Sequence, residues 1–141
     1  MNLERAIEIA AEAHKGQKDK YGAPYLGHVT RVMNAGETDQ ERIVGVLHDV
    51  IEDSPWTFDD LRREGFSAEI IEAVRCLTKK SEDEDYDEFT ERVRKNPLAV
   101  RVKLNDLRDN MDIRRMTSVT EKDVKRLNKY LKAYRALTSS S

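Results

Sequence analysis

The chain has 141 residues, 38% of them hydrophobic, which is enough for one compact domain with a modest core. Its 25 basic and 27 acidic residues give a net charge of -2, so no overall positive field would draw it to nucleic acid or to anionic membranes. No apolar run approaches the roughly 18 residues of a membrane span, and no secretory segment is recognisable at the N-terminus, which together favour a cytoplasmic location. We therefore expect one domain over residues 1–141, with a frayed tail at about residues 137–141.

Apolar residues recur with the helical period of about 3.6 along the chain, whereas strand-like alternation is hard to find, so the sequence predicts an all-α fold. Capping residues, prolines and glycines mark the predicted helix ends. In chain order, the predicted helices cover residues 3–14, 24–36, 39–53, 57–65, 67–77, 86–93 and 97–114, and a last helix begins at residue 120. The lysine-rich stretch 16–22 predicts a polar loop, and the charged stretch 79–85 predicts a mobile loop.

Three further patterns concern structure rather than chemistry. The last helix should begin at a capping box formed by Thr120 and Asp123. Its buried apolar residues should be Leu127, Leu131 and Tyr134. The single cysteine, Cys76, cannot form an internal disulfide and lies on an apolar helical stripe, so core packing in a reducing compartment is expected. For His14, at the end of the first helix, a capping or structural role is favoured over metal ligation.

Residues 48–53, with the sequence HDVIED, are the strongest functional signal in the chain. They follow an apolar helical stretch, so a continuous helix is predicted, on which His48 stacks on Glu52. Asp49 would stack on Asp53 in a second column. One column can bind a metal ion while the other transfers protons, which indicates metal-assisted hydrolysis. The alternative is a solvated acidic helix end, which the helix dipole disfavours because carboxylates are unfavourable near a C-terminus.

A divalent transition metal usually takes four to six ligands, so His48 and Asp49 need partners from elsewhere in the chain. Candidates are His28, in the middle of its predicted helix, and Asp106, an acid among apolar neighbours that would be costly to bury unpaired. Asn110 follows Asp106 by one helical turn and would orient that ligand or bind substrate. Taken alone, His28 is more typical of a hydrogen-bonded core histidine than of a metal ligand, and Asn110 is as typical of a surface amide as of a site residue.

In order and spacing, these four candidate ligands resemble the metal ligands of the HD-domain metal-dependent phosphohydrolases. Four further segments, together with Asn110, resemble the hydrolase domain of RelA/SpoT proteins. The segments are AHKGQ at 13–17, GAPY at 22–25, ED at 52–53 and KLND at 103–106. The resemblance covers about residues 3–112 and leaves too few residues for a synthetase domain, so the nearest likeness is to stand-alone small alarmone hydrolases, which include a metazoan SpoT homologue. It implies a compact HD-domain helical bundle.

The resemblance also implies an activity, which is removal of the 3′-pyrophosphate from guanosine tetra- or pentaphosphate, the alarmone of the stringent response. It implies that His28, His48, Asp49 and Asp106 bind Mn²⁺, with Fe²⁺, Co²⁺ or Zn²⁺ as alternatives. Mixed imidazole and carboxylate ligation suits such a metal better than a thiolate-rich structural zinc site. Finally it implies Glu52 and Asp53 as the acid/base pair, and spacing does not decide which residue takes which role.

Two segments depart from the family pattern where substrate would bind. The bifunctional members of the family have Arg-Lys-Ser where this chain has Asp19, Lys20 and Tyr21. They have Met-Arg-Thr where this chain has residues 111–113, so their arginine is replaced by Asp112. The two acids would repel phosphates by about 1 kcal/mol or more each, which indicates a changed guanine pocket. Lys20 keeps its charge for substrate, and Tyr21 is either a base-stacking residue or a surface tyrosine. Lys103 matches the family and is either a phosphate ligand or a solvated lysine.

The leading hypothesis is therefore a metal-dependent guanosine-3′,5′-bis(diphosphate) 3′-pyrophosphohydrolase that acts on a small-molecule nucleotide and binds neither nucleic acid nor membrane. The first alternative keeps the chemistry on another nucleotide or on a phosphorylated cofactor such as NADPH. The second alternative is a catalytically silent nucleotide-binding module. Intact Glu52 and Asp53 argue against the second, because a module that only binds needs no acid/base pair beside its metal.

Overall fold

The computed structural model describes residues 2–139, and these residues form nine α-helices and one 3-10 helix. The α-helices are α1 (Leu3–Ala13), α2 (Tyr25–Asn34), α3 (Asp39–Leu47), α4 (Val50–Asp53), α5 (Phe58–Arg63), α6 (Ala68–Cys76), α7 (Tyr86–Arg94), α8 (Pro97–Asn110) and α9 (Glu121–Thr138). The 3-10 helix, Ile113–Arg115, lies between α8 and α9. Within residues 2–139 the only strand-like pairing is one bridge between Lys18 and Pro24, so the predicted all-α fold is confirmed.

Polar caps fix the starts of most of these helices. The first turns of α1, α3, α6 and α8 each donate an N–H group to a capping side chain, and the capping residues are Asn2, Thr38, Ser67 and Asn96. The capping box predicted before α9 is confirmed, because the Thr120 hydroxyl accepts the Asp123 N–H at 3.2 Å and the Asp123 carboxylate accepts the Thr120 N–H at 2.9 Å. Each such cap contributes about 1 kcal/mol to stability.

Helix α3 lies at the centre of the fold, in contact with α1, α2, α6 and α8. Its apolar residues are almost fully buried, and they are Ile43, Val44, Val46 and Leu47. Gly45 allows α2 to approach closely, since a Cβ atom at this position would lie 3.2 Å from the Cα of Met33. A larger residue would push the two helices apart. This close packing places His28 of α2 beside His48, the residue that follows α3.

Helix α8 is shorter than predicted. It ends at Asn110 rather than at residue 114, and the chain then turns into the 3-10 helix. Asp112 makes this turn stable because its carboxylate accepts the backbone N–H of Arg114 at 3.2 Å, a local bond that competes with continuation of the α-helix.

The buried face of α9 also differs from the prediction. Leu131 is 45% exposed, whereas Ala133 and Leu137 are buried. The reason is that the face of α9 that meets α7 and α8 passes through Tyr130 and Tyr134, at a spacing of three and four residues. Helix α9 continues to Thr138, and residues 140 and 141 of the predicted frayed tail lie outside the described part of the chain. None of the helices in residues 2–139 combines the length and apolar character needed to cross a membrane.

The charged stretch 79–85 is not helical, as predicted, but its contacts oppose the predicted mobility. Arg92 of α7 pairs with the Glu84 carboxylate and donates to the Thr78 carbonyl at 3.0 Å. These bonds tie both ends of the stretch to α7. Cys76, just before it, is 7% exposed, which confirms its core position, and burial raises the pKa of its thiol.

Candidate metal centre and active-site cleft

The helix predicted through residues 48–53 is interrupted at its functional residues. His48 directly follows the last residue of α3, and Asp49 directly precedes α4. The backbone of Asp49 has φ -106° and ψ 1°, which are not α-helical values. On a regular helix the side chains of neighbouring residues diverge by about 100°. The break instead directs both toward one point, with His48 Nε2 3.1 Å from Asp49 Oδ2. The predicted two columns on one helix are therefore wrong, and the two ligand candidates form a single group.

The other two predicted ligands reach the same point from α2 and α8. His28 Nε2 lies 3.0 Å from Asp106 Oδ1 and 3.8 Å from Asp49 Oδ2. His48 Nε2 lies 3.4 Å from the same Asp106 oxygen. Candidate ligand atoms of His28, His48 and Asp49 all lie within 4.8 Å of one another. Four side chains from three parts of the sequence thus direct nitrogen or oxygen atoms at a common position.

Hydrogen bonds on the far side of each imidazole fix which nitrogen faces this position. His48 Nδ1 lies 2.6 Å from the carbonyl oxygen of Gly45, which can only accept, so Nδ1 carries the proton and donates it. His28 Nδ1 donates in the same way to Asp109 Oδ2 at 2.7 Å, and Arg31 Nε holds that carboxylate at 2.6 Å. In the neutral rings, both Nε2 lone pairs therefore point inward. Outer hydrogen bonds of this kind orient metal-binding histidines.

The donor set fits a divalent cation. Among residues 2–139, His48 Nε2 is buried and makes no hydrogen bond, although two carboxylate oxygens lie close to it. Without a cation, protons compensate the carboxylates: burial opposes charge on His28, but its hydrogen bonds to Asp106 and Asp109 raise its pKa to about 9. The pKa of His48 is likewise raised by Asp49 and Asp106 against the effect of burial. A metal ion would replace these protons.

Asp106 is held by two neighbours besides the histidines. Lys103 Nζ donates to Asp106 Oδ2 at 2.9 Å, and Asn110 Nδ2 donates to Asp106 Oδ1 at 3.0 Å. Burial alone would raise the pKa of Asp106, but the Lys103 and His48 charges hold it well below its usual range. Asn110 therefore makes the orienting contact predicted for it. Lys103 is 8% exposed, so it is not a solvated lysine, and its ammonium is occupied by Asp106.

Tyr25 was not singled out as a site residue, yet it contacts the centre. Its hydroxyl donates to Asp49 Oδ2 at 2.5 Å. Burial first, and then the nearby Asp49 carboxylate, raises the pKa of the Tyr25 hydroxyl far above its usual value, so it stays a donor. The sequence signal was present in the GAPY segment at 22–25, which places this tyrosine at the start of α2.

Glu52 and Asp53 line one cavity together, beside Lys79, but only Glu52 also lines the cavity of the candidate ligands. Glu52 lines the same cavity as His48 and Asp49, and its carboxylate accepts the backbone N–H of Lys79. Asp53 does not line that cavity. Loss of hydration is the main cause that raises the pKa of each carboxyl, and the charge of Asp49 adds to it in both. Glu52 thus lines both the cavity of the candidate metal ligands and a neighbouring one that it shares with Asp53, and the roles of the two carboxylates as an acid/base pair stay a prediction.

Asp53 belongs to a support formed by the end of α1 and the following loop. Gln17 Nε2 donates to Asp53 Oδ2 at 3.2 Å, which directs the amide oxygen of Gln17 toward His14 Nδ1 at 2.8 Å. The His14 side chain is fully buried and packs on the Tyr25 ring with 5.1 Å between centroids. His14 therefore has the structural role favoured from its sequence position. The backbone carbonyl of Gln17 also accepts the Tyr25 N–H at 2.8 Å, which joins this support to α2.

The candidate centre opens into a cleft made of two adjoining cavities of about 180 and 270 Å³. Both are lined by Tyr25, Asn110 and Tyr130. The cations that line one or the other are Lys18, Lys20, Lys79, Lys103, Arg115 and Lys129. These six cations exceed the four lining carboxylates, two of which are candidate metal ligands, Asp49 and Asp106. A larger open depression of about 470 Å³ lies beside Trp56 and contains none of the candidate ligands.

The two acids expected to repel phosphate are engaged elsewhere. Asp19 Oδ1 accepts the backbone N–H groups of Tyr21 at 2.8 Å and Ala23 at 3.0 Å, so it shapes the loop. Asp112 pairs with Arg114 at 2.7 Å, and this bond holds the pKa of Asp112 below its usual range. Asp19 nevertheless lines the larger of the two cavities and has no cationic partner among residues 2–139, so the repulsion of phosphate by these acids stays a prediction.

Sequence reasoning missed the contribution of the C-terminal part of the chain to this cleft. Arg115 lines the larger cavity, and its guanidinium lies 5.5 Å from the centroid of the Tyr21 ring. Lys129 and Tyr130 of α9 line the smaller cavity, and Tyr130 lines the larger one as well. None of the three belongs to a recognisable motif. The turn after α8 brings Arg115 to the site, and the packing of α9 against α7 and α8 brings Lys129 and Tyr130. Of the predicted substrate contacts, Lys20 and Tyr21 both line the larger cavity.

No protein-family model matches the chain. The chain is 31% identical to the guanosine-3′,5′-bis(diphosphate) 3′-pyrophosphohydrolase of Aquifex aeolicus over 77% of its own length. It is 32% identical over 96% of its length to a Streptomyces coelicolor protein named GTP pyrophosphokinase. The chain spans only 17% of the length of each of these two curated relatives.

A solved structure of similar fold comes from work titled "A metazoan ortholog of SpoT hydrolyzes ppGpp and plays a role in starvation responses". The likeness has a TM-score of 0.80 and covers 98% of this chain and 85% of that one, at 23% identity. At this identity it bears on the fold. Together with the relatives in sequence and with the HD pair at residues 48–49, it identifies the chain as an HD-domain, RelA/SpoT hydrolase-like protein.

Proposed function

We propose that this domain is a metal-dependent phosphohydrolase that removes the 3′-pyrophosphate of guanosine-3′,5′-bis(diphosphate). The observation that carries the proposal is the convergence of four ligand candidates, with the inward-facing His48 Nε2 left without a hydrogen bond among residues 2–139. The Aquifex relative bears the name of this activity, although the chain matches only part of it. A small nucleotide is the substrate class that such a reaction requires.

His28, His48, Asp49 and Asp106 would hold the metal ion through their inward-facing atoms. We assign Mn²⁺, with Fe²⁺, Co²⁺ or Zn²⁺ as alternatives, because nitrogen and carboxylate donors together suit these ions. An ion held there would supply a water molecule of lowered pKa and would offset negative charge on the phosphate. Tyr25 and Asn110 position the two carboxylates by the hydrogen bonds that they donate.

The chain's carboxyl groups then handle the protons of the reaction. In the hydrolysis, the oxygen of water forms a bond to phosphorus, the bond from phosphorus to the ribose 3′ oxygen breaks, and that oxygen takes up a proton. Glu52 lines the cavity of the candidate ligands, so we assign removal of the water proton to its carboxylate. Loss of hydration raises the pKa of the Glu52 carboxyl, which makes its carboxylate a stronger base. Asp53, held by Gln17, completes the pair.

The decisive experiment is product analysis. The purified chain is incubated with Mn²⁺ and guanosine-3′,5′-bis(diphosphate), and in parallel with NADPH and common nucleotides. We expect GDP and pyrophosphate, and we expect Glu52→Gln to reduce their formation about 100-fold or more, the usual contribution of a general base. Release of phosphate from another compound without GDP would overturn the substrate. Turnover unaffected by both Glu52→Gln and Asp53→Asn would overturn the mechanism.

The metal assignment has a separate test that does not depend on activity. Elemental analysis of protein purified without chelator should show about one transition metal ion per chain. Asp106→Ala should lose it, whereas Asp112→Ala, which removes a carboxylate paired with Arg114 at the surface, should keep it. Metal retained by Asp106→Ala would remove Asp106 from the ligand set.

A further inference from the structure

The hydroxyl group of Tyr86, the first residue of α7, is buried beside the candidate centre without a hydrogen-bond partner. Its oxygen makes no hydrogen bond to any group in residues 2–139. The ammonium of Lys103 lies 5.6 Å from the centroid of the Tyr86 ring, but an ammonium can only donate and so cannot accept the hydroxyl proton. Buried polar groups without a partner are rare in folded proteins, so this hydroxyl is a candidate contact for a ligand.

Tyr86 is held in place as a neutral donor. Its ring packs against the rings of Phe89 and Tyr130, with centroids 5.8 and 6.4 Å away. Burial is the main cause that raises the pKa of its hydroxyl, the charge of Lys103 opposes this effect, and the charge of Asp106 adds to it. The hydroxyl therefore keeps its proton at neutral pH. A ligand that accepts this proton meets a donor whose orientation is already restricted, which lowers the entropic cost of the bond.

The cavity that Tyr86 lines is the one that contains the candidate metal ligands. This cavity of about 180 Å³ is also lined by His48, Asp49, Glu52 and Asp106. The larger neighbouring cavity is not lined by Tyr86. A ligand atom that reaches the Tyr86 hydroxyl therefore belongs to the group on which the centre acts, and not to a more distant part of the substrate.

The charges around the Tyr86 ring indicate which kind of acceptor this is. The ammonium groups of Lys79, Lys103 and Lys129 lie 5.6, 5.6 and 4.6 Å from the ring centroid. Of the three, only Lys103 forms an ion pair in the described part of the chain. An acceptor in this setting is stabilised if it carries negative charge, as a phosphate oxygen does. A hydrogen bond to such an oxygen is also stronger than one to a neutral acceptor.

We propose that the Tyr86 hydroxyl donates a hydrogen bond to an oxygen of the 3′-pyrophosphate that is hydrolysed at the candidate metal centre. Tyr86 is then a further substrate-binding residue, contributed by a helix that carries none of the site residues predicted from the sequence. The inference rests on the proposed function for the identity of the reacting group, but the contact can be tested by binding alone.

The experiment compares two isomers, guanosine 3′-diphosphate and guanosine 5′-diphosphate, which carry the same charge on different ribose oxygens. Their affinities are measured by calorimetry with Mn²⁺ at fixed ionic strength, in a Glu52→Gln background that prevents turnover. Tyr86→Phe removes the hydroxyl and keeps the ring. It should weaken the binding of guanosine 3′-diphosphate about tenfold, the usual effect of one hydrogen bond to a charged group. The affinity for guanosine 5′-diphosphate should stay within about twofold.

Two further measurements separate a ligand contact from a structural role. Because the hydroxyl has no partner among residues 2–139, Tyr86→Phe should lower Tm without ligand by no more than about 2 °C, and Mn²⁺ affinity should stay within about twofold. Tyr134→Phe is the matched control, because its hydroxyl accepts two N–H groups of Arg108 and Tyr134 lines neither cavity. It should leave both nucleotide affinities unchanged.

The contact would be overturned by unchanged affinity for guanosine 3′-diphosphate in Tyr86→Phe, or by an equal fall in affinity for both isomers. A larger loss of Tm, or weaker Mn²⁺ binding, would overturn it as well, because the hydroxyl would then act within the chain, through Lys103 and Asp106. If the affinities behave as expected while no GDP forms from guanosine-3′,5′-bis(diphosphate), the proposed reaction fails and the Tyr86 contact stands.

Discussion

Replacing Lys103 with methionine should destabilise the protein much more without metal than with it. Lys103 is 8% exposed, and its ammonium donates to Asp106 Oδ2 at 2.9 Å. Methionine has a similar length and suits the surrounding rings of Tyr86 and Phe89, so the lost ion pair dominates the effect. Removing one partner of a buried pair costs about 3–5 kcal/mol. We expect the lower end, about 3 kcal/mol, because Asn110 still donates to Asp106 Oδ1.

A bound cation changes this result, because it compensates the charge that Lys103 otherwise balances. With saturating Mn²⁺ the expected loss is about 1 kcal/mol. For a chain of this size, 1 kcal/mol corresponds to roughly 2–4 °C in Tm, so the expected shifts are roughly 10 °C without metal and roughly 3 °C with it. Circular dichroism melts with chelator and with Mn²⁺ measure both. The exposed Lys95→Met is the control and should shift neither melt by more than about 2 °C.

An equal loss of stability with chelator and with Mn²⁺ would contradict this prediction. It would mean that the metal and Lys103 do not both compensate the charge of Asp106. A more stable Lys103→Met variant in chelator would refute it as well. That result would show that the desolvation of the Lys103 and Asp106 charges costs more than their attraction returns.

Three other substitutions have distinct expected outcomes. Tyr25→Phe removes the bond to Asp49, so Mn²⁺ affinity should fall about tenfold in a metal titration while Tm changes little; unchanged affinity would exclude a positioning role. Gln17→Leu frees Asp53 and should lower kcat while KM stays nearly constant; a change in KM alone would contradict this. Arg92 lowers the pKa of Glu84 from its usual 4.5 to about 2, so this pair stabilises the fold fully above pH 4.5 and progressively less as the pH falls through about 2. Glu84→Gln should therefore cost about 1–2 kcal/mol at neutral pH and flatten the acid limb of the unfolding profile, and an unaltered limb would show that the pair is not coupled to folding.

Much of the fold follows from local signals in the sequence. The caps at Thr57 and Thr120 and the proline that begins α8 mark helix starts, because each satisfies or removes a backbone donor that would otherwise be unpaired. The helix break at His48 and Asp49 left no such mark. Apolar residues continue on both sides of it, at Leu47 and Val50, so the periodic pattern passes through the break unchanged.

The candidate ligands could also be predicted from the sequence, but the other residues that line the cleft could not. Histidines and carboxylates in apolar surroundings are conspicuous because their burial needs compensation. Lysines on an amphipathic helix such as α9 are ordinary, and nothing local separates Lys129, which faces the cleft, from Lys132, which pairs with Asp87. That difference depends on how α9 packs, and the error over Leu131 shows that its buried face was not readable from apolar spacing alone.

The division of the Asp106 carboxylate between its neighbours limits how a cation can bind. Lys103 donates to Oδ2, and Oδ1 is the Asp106 oxygen that faces the two imidazoles. Asp106 can therefore contribute one bond and not a chelating pair. If each of the four candidate residues supplied a single atom, an ion that prefers six ligands would have two positions left for water and a phosphate oxygen. A lysine outside the coordination sphere would thus set the number of exchangeable ligands.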